Sequence, residues 1–112
     1  MKHLLPLLIT LLLLAGCHRP ATSELCTELQ QAEALMYPNP DSALHILQAI
    51  DVPGDELNRA TWALFTTQAK YKLSINQSDT LIHIANEYFI KSNNSQRKAL
   101  VLYYKAVLEQ EK

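Results

Sequence analysis

Glycine is nearly missing from this sequence: it occurs twice in 112 residues, at Gly16 and Gly54. That scarcity excludes a glycine-rich phosphate loop. The recurrence of Leu, Ala, Gln, Glu and Lys, with β-branched residues only scattered, predicts an all-α fold. An excess of either charge is also missing, since 10 basic and 11 acidic residues leave a formal net charge of −1. No electrostatic ground therefore exists for a nucleic-acid or acidic partner. No apolar run reaches the roughly 20 residues that a membrane-spanning helix needs.

The chemistry-bearing patterns are equally sparse. The sequence has no CxxC, HExxH or GxSxG motif. His18, His45 and His83 are far apart, and the acidic residues are dispersed along the chain as on solvated helix faces. Catalysis would need a converging nucleophile, base and oxyanion donor, or metal ligands at working spacing. The expectation is a non-enzymatic protein with no cofactor, metal or small-molecule substrate. Arg97-Lys98 followed by Tyr103-Tyr104 reads as a solvated first turn before a buried aromatic face, because two charges supply little counterion release.

What is present begins at the N-terminus. Met1-Lys2-His3 gives a basic start, Leu4 to Leu14 an apolar run, and Ala15-Gly16 small residues before Cys17. This is the layout of a cleaved secretory signal. The junction Leu14-Ala15-Gly16-Cys17 resembles the lipobox of bacterial lipoproteins. That resemblance implies cleavage after residue 16 and a diacylglyceryl thioether and N-acyl chain on Cys17, with residues 17–23 as a tether. Three acyl chains, at about 0.8 kcal/mol per buried CH₂, would hold the protein at a membrane. His18 stands where some such proteins carry an inner-membrane retention aspartate, so the resemblance favours the outer membrane, facing the periplasm. With Cys17 acylated, Cys26 is expected as a small core residue without a covalent partner.

Helix signals punctuate residues 24–112. Ser23 is placed to cap a first helix to about Met36, which Tyr37-Pro38 ends. Asn39-Pro40-Asp41 starts a second helix, to about Ile50, with Pro40 in the first helical position. Asp55 caps a third to about Leu73, Ser78-Asp79 a fourth to about Ile90, and Ser95 a fifth. The third helix carries two apolar stripes, one through Leu57, Ala60, Leu64 and Tyr71 and one through Trp62, Phe65, Ala69 and Leu73. Such a helix is expected between others, not at a surface.

The chain also resembles itself. "LQQAEALM", "TTQAKYKL" and "YYKAVLEQ" place Ala32, Ala69 and Ala106 at an interval of 37 twice over. "DSALHILQAI" from Asp41 aligns with "DTLIHIANEY" from Asp79 at an interval of 38. A period in the thirties built from one helix pair is the signature of a helical solenoid. The residues "NPDSALHILQAID", "TQAKYKL" and "SDTLIHIANEYF" resemble the tetratricopeptide repeat, and most closely the divergent tetratricopeptide-like lipoproteins of some Gram-negative phyla. The interval exceeds the usual 34, and several aromatic signature positions hold other residues.

That resemblance implies about two and a half helix pairs over residues 24–112 and an interaction module for an unidentified protein or peptide. The third unit has only its first helix in this sequence, leaving the apolar side of Ala99, Leu102 and Tyr103 without a following helix, so a shortened relative is expected. The alternative is the sensory segment of a longer signalling regulator, and a small envelope enzyme is a third reading. In tetratricopeptide repeats the concave groove is lined by side chains three before and one after each crossing alanine. This implies Leu29 and Glu33, Thr66 and Lys70, and Tyr103 and Val107, with Glu33, Thr66, Lys70 and Tyr103 as the candidate peptide-binding set. Asp41-Ser42-Ala43 and Asp79-Thr80-Leu81 resemble a short O-glycosylation acceptor but are also what helix starts contain.

Overall fold

The computed structural model describes residues 24–111. Ser23, the tether, Cys17 and the apolar N-terminal run lie outside them. Among the described residues the structure is all-helical, with five helices: α1 (Thr27–Leu35), α2 (Pro40–Ala49), α3 (Glu56–Lys72), α4 (Thr80–Phe89) and α5 (Ser95–Gln110). No described helix is long and apolar enough to cross a membrane.

Three of the helix starts follow directly from local chemistry. Asn39 Oδ1 accepts from the Ser42 N–H at 3.2 Å, with Pro40 in the first turn, where its missing N–H costs nothing. Asp55 Oδ2 accepts from the Asn58 N–H at 3.0 Å. At α4 the Asp79 side chain makes no capping bond, and Ser78 Oγ accepts from the Thr80 N–H at 3.4 Å. Two caps differ from expectation. Asn94, not Ser95, caps α5, accepting from the Arg97 N–H at 3.0 Å, because asparagine reaches the free N–H while Ser95 enters the helix. Helix α1 begins at Thr27 with Cys26 in the cap position and no side-chain cap.

Asn58 explains that late start. It is 2% exposed. Its Oδ1 accepts from the Cys26 N–H at 2.8 Å, and its Nδ2 donates to the Glu24 carbonyl at 3.2 Å and to Asp55 Oδ2 at 2.8 Å. The segment 24–26 is thus tied to the start of α3 by one amide, instead of continuing α1 toward Ser23.

Helix α3 is the axis of the domain. It packs against α2 and α4 on either side in sequence and also touches α1 and α5. Every residue from Ala63 to Ala69 is buried, as expected of a helix with two apolar stripes. The polar residues on it are accommodated locally: Thr61 and Thr67 hydroxyls donate to the Leu57 and Ala63 carbonyls four residues back. Trp62 Nε1 donates to the Leu47 carbonyl at 3.1 Å, joining α3 to α2. Leu64 and Phe65 are among the largest fully buried side chains, and truncating either to Ala would cost about 3–5 kcal/mol. Helix α2 adds Ala43, Leu44 and Leu47 to the core, and α4 adds Ile82, Ala85 and Phe89.

Candidate interaction surface

The candidate groove residues do not form one open surface. Glu33 is half exposed but engaged: Arg97 Nη1 donates to its Oε2 at 2.9 Å and Nη2 to its Oε1 at 3.4 Å. The Arg97 guanidinium also lies 5.1 Å from the Phe65 ring centroid, so it spans from α5 to α1 across the middle of α3. The expectation that Arg97 belongs to a solvated turn is corrected, since its side chain is only 15% exposed. Sequence separation hid this pairing, which joins residues 64 apart.

Thr66 is buried, at 4% exposure, and its hydroxyl has no hydrogen-bond partner. It therefore cannot line an open groove in this conformation. Leu29 is fully buried in the core. Lys70 and Val107 are partly exposed, and Tyr103 is 53% exposed. Of the four candidates, Lys70 and Tyr103 keep surface that is not already engaged by a salt bridge or enclosed.

Tyr103 belongs to a cluster that the sequence reading did not assemble. Its ring meets Tyr104 edge to face at 5.0 Å and Tyr71 at 6.4 Å, while Tyr71 meets Tyr104 at 5.5 Å. The cluster lines an open hollow of about 1160 Å³ between the α3–α4 loop and the end of α5. Burial pushes the Tyr104 hydroxyl up to about 12, with further contributions from the neighbouring tyrosines Tyr37, Tyr103 and Tyr71, while a hydrogen bond from Gln68 acts in the opposite sense. Hydrogen bonding with Tyr103 raises Tyr71 as well, followed by the repulsion between the two phenolates. These hydroxyls stay protonated at neutral pH and serve as hydrogen-bonding groups. The signal that could have found the cluster is the presence of Tyr71 in the last turn of α3 and of Tyr103-Tyr104 on α5.

The loop beside this hollow carries the backbone outlier of the domain. Ser74 has φ 57°, in the left-handed region. Its N–H donates to the Tyr71 carbonyl at 3.1 Å, and that of Ile75 to the Lys70 carbonyl at 2.9 Å. This pair of bonds forms a Schellman closure of α3, with serine where glycine is usual.

The two equivalent histidines fall on exposed helix positions, with His83 Nε2 3.3 Å from Asp79 Oδ2. No three His, Cys, Asp or Glu residues group to hold a metal among the described residues. Cys26 is buried, at 4% exposure, and disulfide-bonded. This corrects its expected state as a core thiol without a covalent partner. The one other cysteine in the sequence is Cys17, outside the described residues. No family model matches this chain, and no curated protein or solved structure is significantly similar to it.

Proposed function

We propose that this chain is a lipid-anchored, tetratricopeptide-like interaction module of a bacterial cell envelope, non-enzymatic, with Cys17 as the acylated residue. The observation that carries the anchor is the contiguous Leu14-Ala15-Gly16-Cys17 junction after a short apolar run with a basic start. The repeat reading draws support from two of the spaced alanines: Ala32 and Ala69 are both fully buried where helices meet. Helices adjacent in sequence pack together, and α3 also touches the helices two places away, as stacked helix pairs require.

On this reading a protein or peptide partner engages the surface around Lys70 and Tyr103, with the tyrosine as aromatic anchor. Glu33 and Arg97 act on each other, which narrows the candidate groove to its end near the tyrosine cluster.

The deciding experiment is intact mass of protein extracted from membranes, wild type against Cys17→Ser. A mass for residues 17–112 plus three acyl chains, lost in the variant, supports the anchor. An unacylated chain, or one retaining residues 1–16, would remove it.

A further inference from the structure

Four of the chain's five tyrosines gather beside the end of α3. Tyr71 stands in the last turn of that helix and Tyr103 and Tyr104 in the second half of α5, their rings edge to face. Tyr37, just beyond α1, is close enough to Tyr104 to act on its hydroxyl, and the Lys72 ammonium lies 4.1 Å from the Tyr37 ring centroid. Tyr104 is buried and holds the cluster to the core, whereas Tyr37 and Tyr103 are 72% and 53% exposed. Large, rigid aromatic area is thus presented outward around an open hollow.

The chemistry of that hollow selects among the ways a protein holds a peptide. Strand addition needs a sheet edge, and the described residues form only helices. A docked amphipathic helix needs a long apolar trough, but Ile75 and Leu108 are the only aliphatic residues lining the hollow, and its loop side is otherwise polar. A phosphorylated motif needs clustered arginines, and no described arginine lines it. Capture of a terminal carboxylate needs free backbone N–H groups, and those of Ser74 and Ile75 are spent closing α3. The remaining mode is polyproline II, which asks for aromatic ridges and for side-chain donors, because its carbonyls have no internal partners. The tyrosines supply both. The Tyr71 and Tyr103 rings stand at 89° to each other, and their hydroxyls share one hydrogen bond, which leaves one of the two protons to donate outward. The lining charges are few and of both signs, Lys72 against Asp79 and Glu111, which suits an uncharged segment.

We propose that this hollow docks a proline-rich segment of a partner protein in the polyproline II conformation, with Tyr71 and Tyr103 as the ridges. The inference rests on the reading of the chain as an interaction module and names the class of its partner. Pyrrolidine rings pack against the exposed tyrosine faces, and the outward hydroxyl proton donates to a peptide carbonyl. Such a ligand is extended before it binds, so little ordering is lost on docking. With few donors and an open hollow, a short peptide should dissociate at about 0.1–1 mM.

The test is titration of the full chain in detergent with decaproline, followed by the magnetic resonances of isotope-labelled tyrosine rings. Saturable shifts are expected at Tyr71 and Tyr103, with Tyr88 on α4 unmoved. Tyr103→Ala should weaken binding about tenfold or more, and Tyr71→Phe with Tyr103→Phe, which keeps both rings and removes both hydroxyls, about fivefold. Unchanged helical circular dichroism in the variants separates these losses from misfolding. Decaproline that does not bind, or that binds Tyr103→Ala as well as wild type, overturns the proposal. So does a proline-free peptide of Gly, Ser and Ala that binds equally well, or maltoheptaose that binds where decaproline does not, which would assign the tyrosines to a sugar. The module reading is tested separately by a photoreactive residue in place of Tyr103 in the native cell. Protein cross-links without decaproline binding strike only the proline class, whereas absence of both strikes the module as well.

Discussion

Arg97 reaches from α5 over the ring of Phe65 on α3 to grip the Glu33 carboxylate on α1 with both guanidinium nitrogens, at 2.9 and 3.4 Å. One side chain therefore links the first and last described helices, which otherwise meet through α3. The geometry is two-pronged, but Glu33 remains half exposed, which limits the strength of the pair. A double-mutant cycle with Arg97→Ala and Glu33→Ala should give a coupling of about 0.5–1 kcal/mol that shrinks in high salt. Arg97→Ala alone should cost more, since it also uncovers Phe65, and Arg97→Lys should not restore the wild type. Urea unfolding of the variants measures each term.

Asn58 is the most consequential polar residue in the core. Asn58→Ala leaves the buried Cys26 N–H without its acceptor and should cost about 2–3 kcal/mol. The loss should appear in hydrogen exchange as early opening around residues 24–30 while the centre of α3 stays protected. Equal protection at the Cys26 amide in the variant and the wild type would contradict the assignment.

Ser74→Gly should stabilise the protein. An L-residue in the left-handed region costs about 1–2 kcal/mol, part of which glycine returns through its greater freedom when unfolded, leaving a gain of about 0.5–1 kcal/mol. Thermal unfolding should show a higher Tm, and Ser74→Val a lower one.

Tyr104 predicts a loss of stability in alkali. A hydroxyl titrating near 12 in the fold against 10 in the unfolded chain makes the folded state hold its proton longer. The stabilisation is fully present below pH 10 and is lost as pH rises toward 12. Tyr104→Phe should flatten that decline while costing about 0.5–1 kcal/mol at neutral pH through the lost Gln68 hydrogen bond. Denaturant midpoints at pH 8, 10 and 11 provide the comparison.

Much of the helical layout was legible because its signals are local. Asn39-Pro40 and Asp55 act within three residues of themselves, and the double stripe of α3 needs only a count along the chain to show that the helix is enclosed. The misplaced start of α1 came from Asn58, whose amide acts over a separation of 32 residues and looks in sequence like any polar residue in a first turn. Arg97 was misread for the same reason: its environment is made by two other helices. The candidate groove suffered most, because Thr66 and Tyr103 hold equivalent repeat positions while only Thr66 has helices on both sides.

The bond from Trp62 to the Leu47 carbonyl has an optical consequence. The chain's single tryptophan reports from the α2–α3 contact, whereas Tyr71, Tyr103 and Tyr104 absorb and emit from the junction of α3 with α5. Tryptophan emission thus reports on the α2–α3 contact, and the tyrosine signal, three of whose five residues form that cluster, is weighted toward the α3–α5 junction. Coincident tryptophan and tyrosine transitions would mark a single cooperative unit, and an earlier tyrosine transition would mark helices peeling away from the open α5 side first.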